Sequence, residues 1–263
     1  MRTITAEELR KIMLDILKDV ASFCDANGIT YFLSCGTLIG AVRHHGFIPW
    51  DDDIDIDMPR PDYERFIKLY SEKGRYALCS PYDKDSMFFY AKVYDDRTIK
   101  KEEIICHGDY KPIGVDIDIF PIDGQPDDFE KFKRDTNFRL RIIAMFLLSV
   151  KPISIRDIKN GVLSIISHLI GWRRLLNRYI ISAKRYDYET SSKVGFISPY
   201  SRYNNRHDKS IFEKKTKVQF EDGNFWAPSD YNTFLTNIYG NYMTPPPVEK
   251  RNSTHIASYF WKD

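Results

Sequence analysis

The sequence has few cysteines and no long apolar run, and each shortage closes off a class of protein. Cys24, Cys35, Cys79 and Cys106 are the only thiols in 263 residues, and no two form a CxxC pair. No His/Cys spacing suits a zinc site. Dispersed thiols in a chain this long predict a reducing compartment rather than a disulfide framework. No stretch reaches the ~18 apolar residues of a membrane span. Ile142–Val150 is too short, and Val162–Ile181 is interrupted by His168, Arg173, Arg174 and Arg178. The opening MRTITAEELR lacks the apolar core of a signal peptide. A cytoplasmic protein is expected, with peripheral contact at the inner face of a membrane left open. The net charge of +2 excludes a chain that is basic throughout, and no nucleic-acid partner is expected. There is no internal repeat and no low-complexity tract.

What is abundant is aromatic and locally charged. Phe, Tyr and Trp make up 14% of the residues, more than a core alone requires. Residues 131–185 carry 13 Lys/Arg against Asp135 and Asp157, while residues 51–57 hold five Asp in seven. One region suits cations. The other suits an anionic acceptor or membrane surface, or is a set of solvated helix faces.

Thr5-Ala6-Glu7-Glu8 is a capping box, and Leu9, Ile12, Met13, Ile16, Leu17, Val20 and Phe23 follow at helical spacing up to Asn27-Gly28. Ile29–Ser34 reads as a strand, Leu38–Arg43 as a short helix and Tyr63–Tyr70 as another helix. Tyr76–Cys79, Phe88–Tyr94 and Val115–Phe120 read as strands. Phe129–Val150 and Ile155–Arg185 predict two or three long helices. Lys215–Phe220 and Asn224–Ala227 flank Glu221-Asp222-Gly223 as a hairpin, and Tyr231–Tyr239 is a helix closed by Gly240. The fold class is α/β (α+β), divided into a core over 1–125 and a helical region with a small α+β return over 126–263.

The acidic stretch Trp50–Met58 carries the chemistry. Crowded carboxylates repel, and a divalent cation is the simplest compensation. An EF-hand loop fails at Ile56, where glycine is needed, and at Asp62, where glutamate is preferred. Asp51, Asp52 and Asp55 match a DDxxD helix, but Pro49, Pro59 and Pro61 and the Ile/Asp alternation favour a strand. As a strand, Asp51, Asp53, Asp55 and Asp57 share one face, about 6–7 Å apart. Oxygen ligands of this kind select Mg²⁺ or Mn²⁺. A solvated acidic turn is the competing reading. Val115–Pro121 alternates again, so Asp118 or Asp116 can complete the set. Gly36-Thr37, at a strand-to-helix turn, allows close approach of a phosphate. Arg43 and Lys92 are further phosphate candidates. His44 and His45 read as capping or packing residues, and Trp50 as core or a base-stacking platform.

Ser34–His44 running into Gly46–Ile56 resembles the signature of the LicD family, which includes bacterial phosphocholine transferases and fukutin-type ribitol-phosphate transferases. The likeness continues through Asp118–Asp123 and Tyr239–Pro246, with His255 beyond at a matching position that reads as a substrate contact or a packing residue. It implies a nucleotidyltransferase-like mixed sheet flanked by helices. It also implies phosphotransfer from a CDP-linked alcohol to a glycan hydroxyl, on a lipid-linked, anionic or teichoic-acid precursor, with release of CMP. Metal ligation falls on Asp53, Asp55 and Asp118, with Asp51 assisting at the catalytic centre. For choline, an aromatic cage is needed, and Tyr200, Tyr203, Phe225 and Trp226 are available. The alternatives are a DxD glycosyltransferase, a strict nucleotidyltransferase releasing pyrophosphate, and a non-enzymatic glycan-binding module.

Overall fold

A computed structural model describes residues 1–102, 112–150, 158–196, 204–251 and 257–263. Cys106, Tyr200, Tyr203 and His255 lie outside the described residues. The helices are α1 (Ala6–Asn27), α2 (Cys35–His44), α3 (Arg60–Lys73), α4 (Phe129–Val150), α5 (Ile158–Ile170), α6 (Trp172–Ala183) and α7 (Tyr231–Tyr239). The strands are β1 (Phe32–Leu33), β2 (Asp55–Pro59), β3 (Ala77–Cys79), β4 (Ala91–Tyr94), β5 (Thr98–Glu102), β6 (Asp116–Gln125), β7 (Lys193–Gly195), β8 (His207–Asp208), β9 (Lys215–Phe220), β10 (Gly223–Pro228) and β11 (Ala257–Trp261).

The capping box at Thr5 forms as the sequence predicts. Glu8 N–H donates to Thr5 Oγ1 at 3.2 Å and Thr5 N–H donates to Glu8 Oε2 at 3.0 Å. Gly28, at φ +60°, turns the chain out of α1, a conformation that suits glycine. The main sheet runs β1-β2-β6-β4-β3, with β7 added to the far end of β6 and β8 to β7. Its central pair, β2 and β6, is parallel; the other neighbours are antiparallel. Helices α1 and α3 pack on β6, and α3 also on β2. Ile56, Met58, Ile117 and Ile119 are fully buried in the large core. By the strand's period of two, Asp55, Asp57, Asp116 and Asp118 project from the opposite face. Arg60 clamps α3 to β6 with a bidentate pair to Asp123, at 2.6 and 2.8 Å.

Helices α4 and α6 enclose a second cluster around Ile142, Phe146, Leu176 and Tyr179, joined to the sheet side by Phe89. Among the described residues, the helical stretch 129–185 holds three helices, the upper end of the two or three expected; α5 and α6 part at Gly171, whose φ of +85° lies outside the helical region. Two further pairs, β9–β10 and β5–β11, stand apart from the main sheet. The β9–β10 hairpin matches its turn signal. Strands β5 and β11 find each other across the length of the chain, a pairing that no local pattern announces.

Two expectations about strands need correction. Ile29–Ser34 reduces to the two-residue β1, and the acidic strand begins only at Asp55. Asp51 N–H donates to Ile48 C=O at 2.9 Å, making a turn with Pro49 at its second position. The Arg10 guanidinium donates to the carbonyls of Pro49 and Asp51 at 2.7 and 3.2 Å, tying this turn to α1. Asp51 and Asp53 therefore approach the site from an irregular segment, not from one strand face.

His207 of β8 is buried between Phe212 and Phe234. Its Nε2 lies 3.0 Å from Asn205 Oδ1, and Nδ1 has no hydrogen-bond partner among the described residues. Burial pulls its pKa down from 6.5 to about 4, against a weaker upward pull from Asp208. The unfolded chain thus takes up the proton more readily than the folded one. The stability conferred by the neutral ring is complete above pH 6.5 and is lost as the pH falls toward 4, by up to about 1.4 kcal/mol per pH unit. Asp57, pushed up to about 7 by burial, acts in the opposite sense, losing stability as the pH rises. The measurement is therefore a difference: the stability gap between wild type and His207→Gln is expected to shrink between pH 7 and pH 4.5 in urea titrations. A gap independent of pH would refute the assignment.

Candidate active site

The site is assembled where α2 begins against β2. Asp55 N–H donates to Thr37 Oγ1 at 2.8 Å, and Ser34 N–H donates to Asp55 C=O at 3.0 Å. These bonds fasten the helix entrance to the first acidic strand residue. A Cβ at Gly36 would lie 2.4 Å from Asp51 Oδ2, so a side chain here would push that carboxylate aside. Asp51, Asp55 and Asp57 thus all lie near this helix N-terminus, a favourable place for negative charge. Close approach at the glycine turn is present, and a side chain of the acidic loop makes it.

On the neighbouring strand, Asp118 stands directly across from Asp55 in parallel register. Asp118 N–H donates to Ile54 C=O at 2.8 Å, which locks that register. From the other side, Lys92 of β4 is paired with Asp118. Its ammonium donates to Asp116 Oδ2 at 2.6 Å and to Asp118 Oδ1. Lys100 of β5 reaches Asp116 Oδ1 at 3.5 Å. Asp52, Asp53, Ile54, Lys92, Lys100, Asp116, Asp118 and Tyr259 line one cleft.

The charges are unevenly matched. Burial favours protonation of Asp116, but the Lys92 and Lys100 ammoniums outweigh it and hold that carboxyl below its ordinary range. Burial raises Asp118, with Asp116 adding to the rise and Lys92 opposing it. Asp55 is pushed well above the usual carboxylate range, first by burial and then by Asp53, Asp118, Asp51 and Asp57. Burial alone would discharge Lys92, yet Asp116 and Asp118 keep it firmly protonated. The crowding of carboxylates is greatest around Asp55, which feels Asp51, Asp53, Asp57 and Asp118.

A hard divalent cation fits that donor chemistry, since Asp53, Asp55 and Asp118 offer carboxylate oxygens, the ligands such a cation prefers. Among the described residues, no three His, Cys, Asp or Glu side chains already surround a common point as metal ligands. The carboxylates are brought together by strand register, and Lys92 holds one of them.

Of the other residues singled out from sequence, Arg43 points to the C-terminal turn, where its guanidinium donates to Tyr242 C=O. It joins α2 to the Gly240-Asn241-Tyr242 turn and does not line the cleft. Trp50 is half-buried against the core, with the Arg251 guanidinium 5.1 Å from its ring. Phe225 is core. Trp226 lies on the outer hairpin, donating to Asp25 at 2.8 Å beneath Lys215 and Lys217. Neither lines the cleft. Two residues of the cleft carry no signal in the sequence: Lys100, which β5 brings in through Lys100 N–H to Ile113 C=O at 3.0 Å, and Tyr259, which arrives with the distant β11.

The fold is thus a mixed α/β sheet whose parallel central strands set two aspartates opposite each other beside a Gly-Thr helix entrance. Residues 28–146 match the LicD/FKTN/FKRP nucleotidyltransferase domain. Over 270 aligned residues, 99% of each chain, the sequence is 30% identical to a Haemophilus influenzae protein named lipopolysaccharide cholinephosphotransferase LicD. An uncharacterized Rickettsia typhi protein is 26% identical over 133 residues, covering 39% of this chain and 43% of its own. One from Rickettsia prowazekii is 36% identical over 96 residues, covering 29% and 36%. The chain belongs to the LicD family and is a transferase of the substituted-phosphate class.

Proposed function

We propose that this protein transfers phosphocholine from CDP-choline to a hydroxyl of a cell-surface glycan, of lipopolysaccharide or teichoic-acid type, releasing CMP. The observation that carries this reading is the end-to-end similarity to a protein named cholinephosphotransferase. The glycan hydroxyl forms the new O–P bond, and the bond between that phosphorus and the CMP oxygen breaks. Asp118 accepts the hydroxyl proton: Lys92 occupies its Oδ1, which leaves Oδ2 for the acceptor, and burial raises its proton affinity. Asp53, Asp55 and Asp118 would hold a Mg²⁺ or Mn²⁺ ion, which supplies charge neutralisation to the donor diphosphate and the departing CMP. Gly36 and Thr37 act through the acids they touch, Asp51 and Asp55. Among the described residues no helix is long and apolar enough to cross a membrane. A lipid-linked acceptor would therefore be met from the membrane surface, through the basic 131–185 region.

The test is a product assay with purified protein, Mg²⁺ and a glycan acceptor. CDP-choline is expected to give CMP and a choline-labelled glycan, and EDTA to stop the reaction. Turnover of a UDP-sugar instead would assign a glycosyltransferase. Pyrophosphate release from a nucleoside triphosphate would assign a nucleotidyltransferase.

A further inference from the structure

The carboxylate face of the sheet continues into aromatic side chains. Phe120 follows Asp118 by two residues on β6, so both project from the same face. Across the sheet, Tyr90 precedes Lys92 by two residues, just ahead of β4. The Tyr90 and Phe120 rings meet with centroids 4.4 Å apart. Phe196, just beyond β7, lies 4.8 Å from Phe120 and 6.3 Å from Tyr90, nearly perpendicular to the latter at 88°. All three rings are only half-buried. Asp57 is the cross-strand partner of Phe120, so carboxylates flank the wall along both strands. Tyr90 already faces one cation, with Lys92 Nζ 5.3 Å from its centroid.

We propose that Tyr90, Phe120 and Phe196 form the receptor for the quaternary ammonium of the transferred alcohol. The inference rests on the CDP-choline reading above and adds the residues that select choline. Ring faces bordered by carboxylates attract an ammonium that cannot donate hydrogen bonds. Positions two apart on a strand face are about 6–7 Å apart. That suits the short spacer of one oxygen and two carbons between phosphorus and nitrogen, with the phosphorus at Asp118. A polyol would trade its hydration for ring faces that offer it few hydrogen bonds.

The experiment is calorimetric binding of CDP-choline, CDP-ribitol and CMP, with Mg²⁺, to wild type, Tyr90→Leu, Phe120→Leu and the ring-retaining Tyr90→Phe. Thermal melting verifies folding of each variant. Each leucine variant is expected to bind CDP-choline about tenfold more weakly with CMP binding unchanged, and Tyr90→Phe to behave as wild type. Equal weakening toward CMP, or undiminished preference for CDP-choline, would overturn the aromatic receptor while leaving the transferase reading intact. Should a leucine variant not fold, undiminished CDP-choline binding by Phe196→Leu would overturn it in the same way. Wild type that prefers CDP-ribitol, or ignores CDP-choline, would overturn the choline reading and the receptor together.

Discussion

Asp55→Asn is expected to abolish turnover in a protein that remains folded. Asp55 is buried, lies across from Asp118, and is surrounded by Asp51, Asp53 and Asp57, all of which oppose its ionisation. Asparagine keeps the shape of the protonated acid, so without metal the melting temperature is expected to hold or rise. What disappears is the carboxylate proposed above to hold the metal. Changes in the outer shell of a metal site cost about 10–100-fold, so removing a direct ligand is expected to cost more than a hundredfold in CMP release. Stabilisation by Mg²⁺ in a thermal melt is expected to vanish with it, because only binding to the native state raises apparent stability. Asp53→Asn is expected to act alike. Near-normal turnover in either variant would remove that aspartate from the centre.

Lys92→Met is expected to have the largest effect on folding itself. The Lys92 ammonium is shared by Asp116 and Asp118, and all three side chains are largely buried. Methionine retains most of the volume and none of the charge. Breaking a buried pair by deleting one partner costs about 3–5 kcal/mol, because an uncompensated charge is left behind. Lys100, 3.5 Å from Asp116, offsets part of this. Chemical denaturation of Lys92→Met and of Lys92→Met/Asp116→Asn measures the effect: the double variant is expected to recover much of the loss. A single variant within about 0.5 kcal/mol of wild type, the range of an ordinary surface change, would show that Lys92 is not the counter-ion. In that case its role as a phosphate contact regains force.

Much of the candidate site was legible before any coordinates. The acidic runs at 51–57 and 116–118 alternate with isoleucine, and acids rarely occupy an apolar strand without a partner. The family signature ranked Asp53, Asp55 and Asp118 above their neighbours. Less legible was the backbone around them. Three consecutive aspartates after Pro49 looked like the start of a strand, but the hydrogen bond from Asp51 N–H to Ile48 C=O and the Arg10 contacts turn the chain there. The aromatic candidates near residue 226 were misplaced for a related reason. Composition reveals a surplus of rings but not which ones share a face with a carboxylate.

Local physics accounts for what could be read in advance. The Thr5 cap, the apolar face of α1, the 215–228 hairpin and the stop at Gly240 each depend on neighbours a few residues away. The pairing of Asp55 with Asp118, the Lys92 ammonium between two acids, and the arrival of Lys100 and Tyr259 depend on strand partners far apart in the chain. A one-residue slip in any of those pairings would turn the same side chains to the other face. Only the packed sheet, with its isoleucines buried beneath α1 and α3, makes one register lower in free energy than the rest. That register brings the acids of two distant segments to the same place.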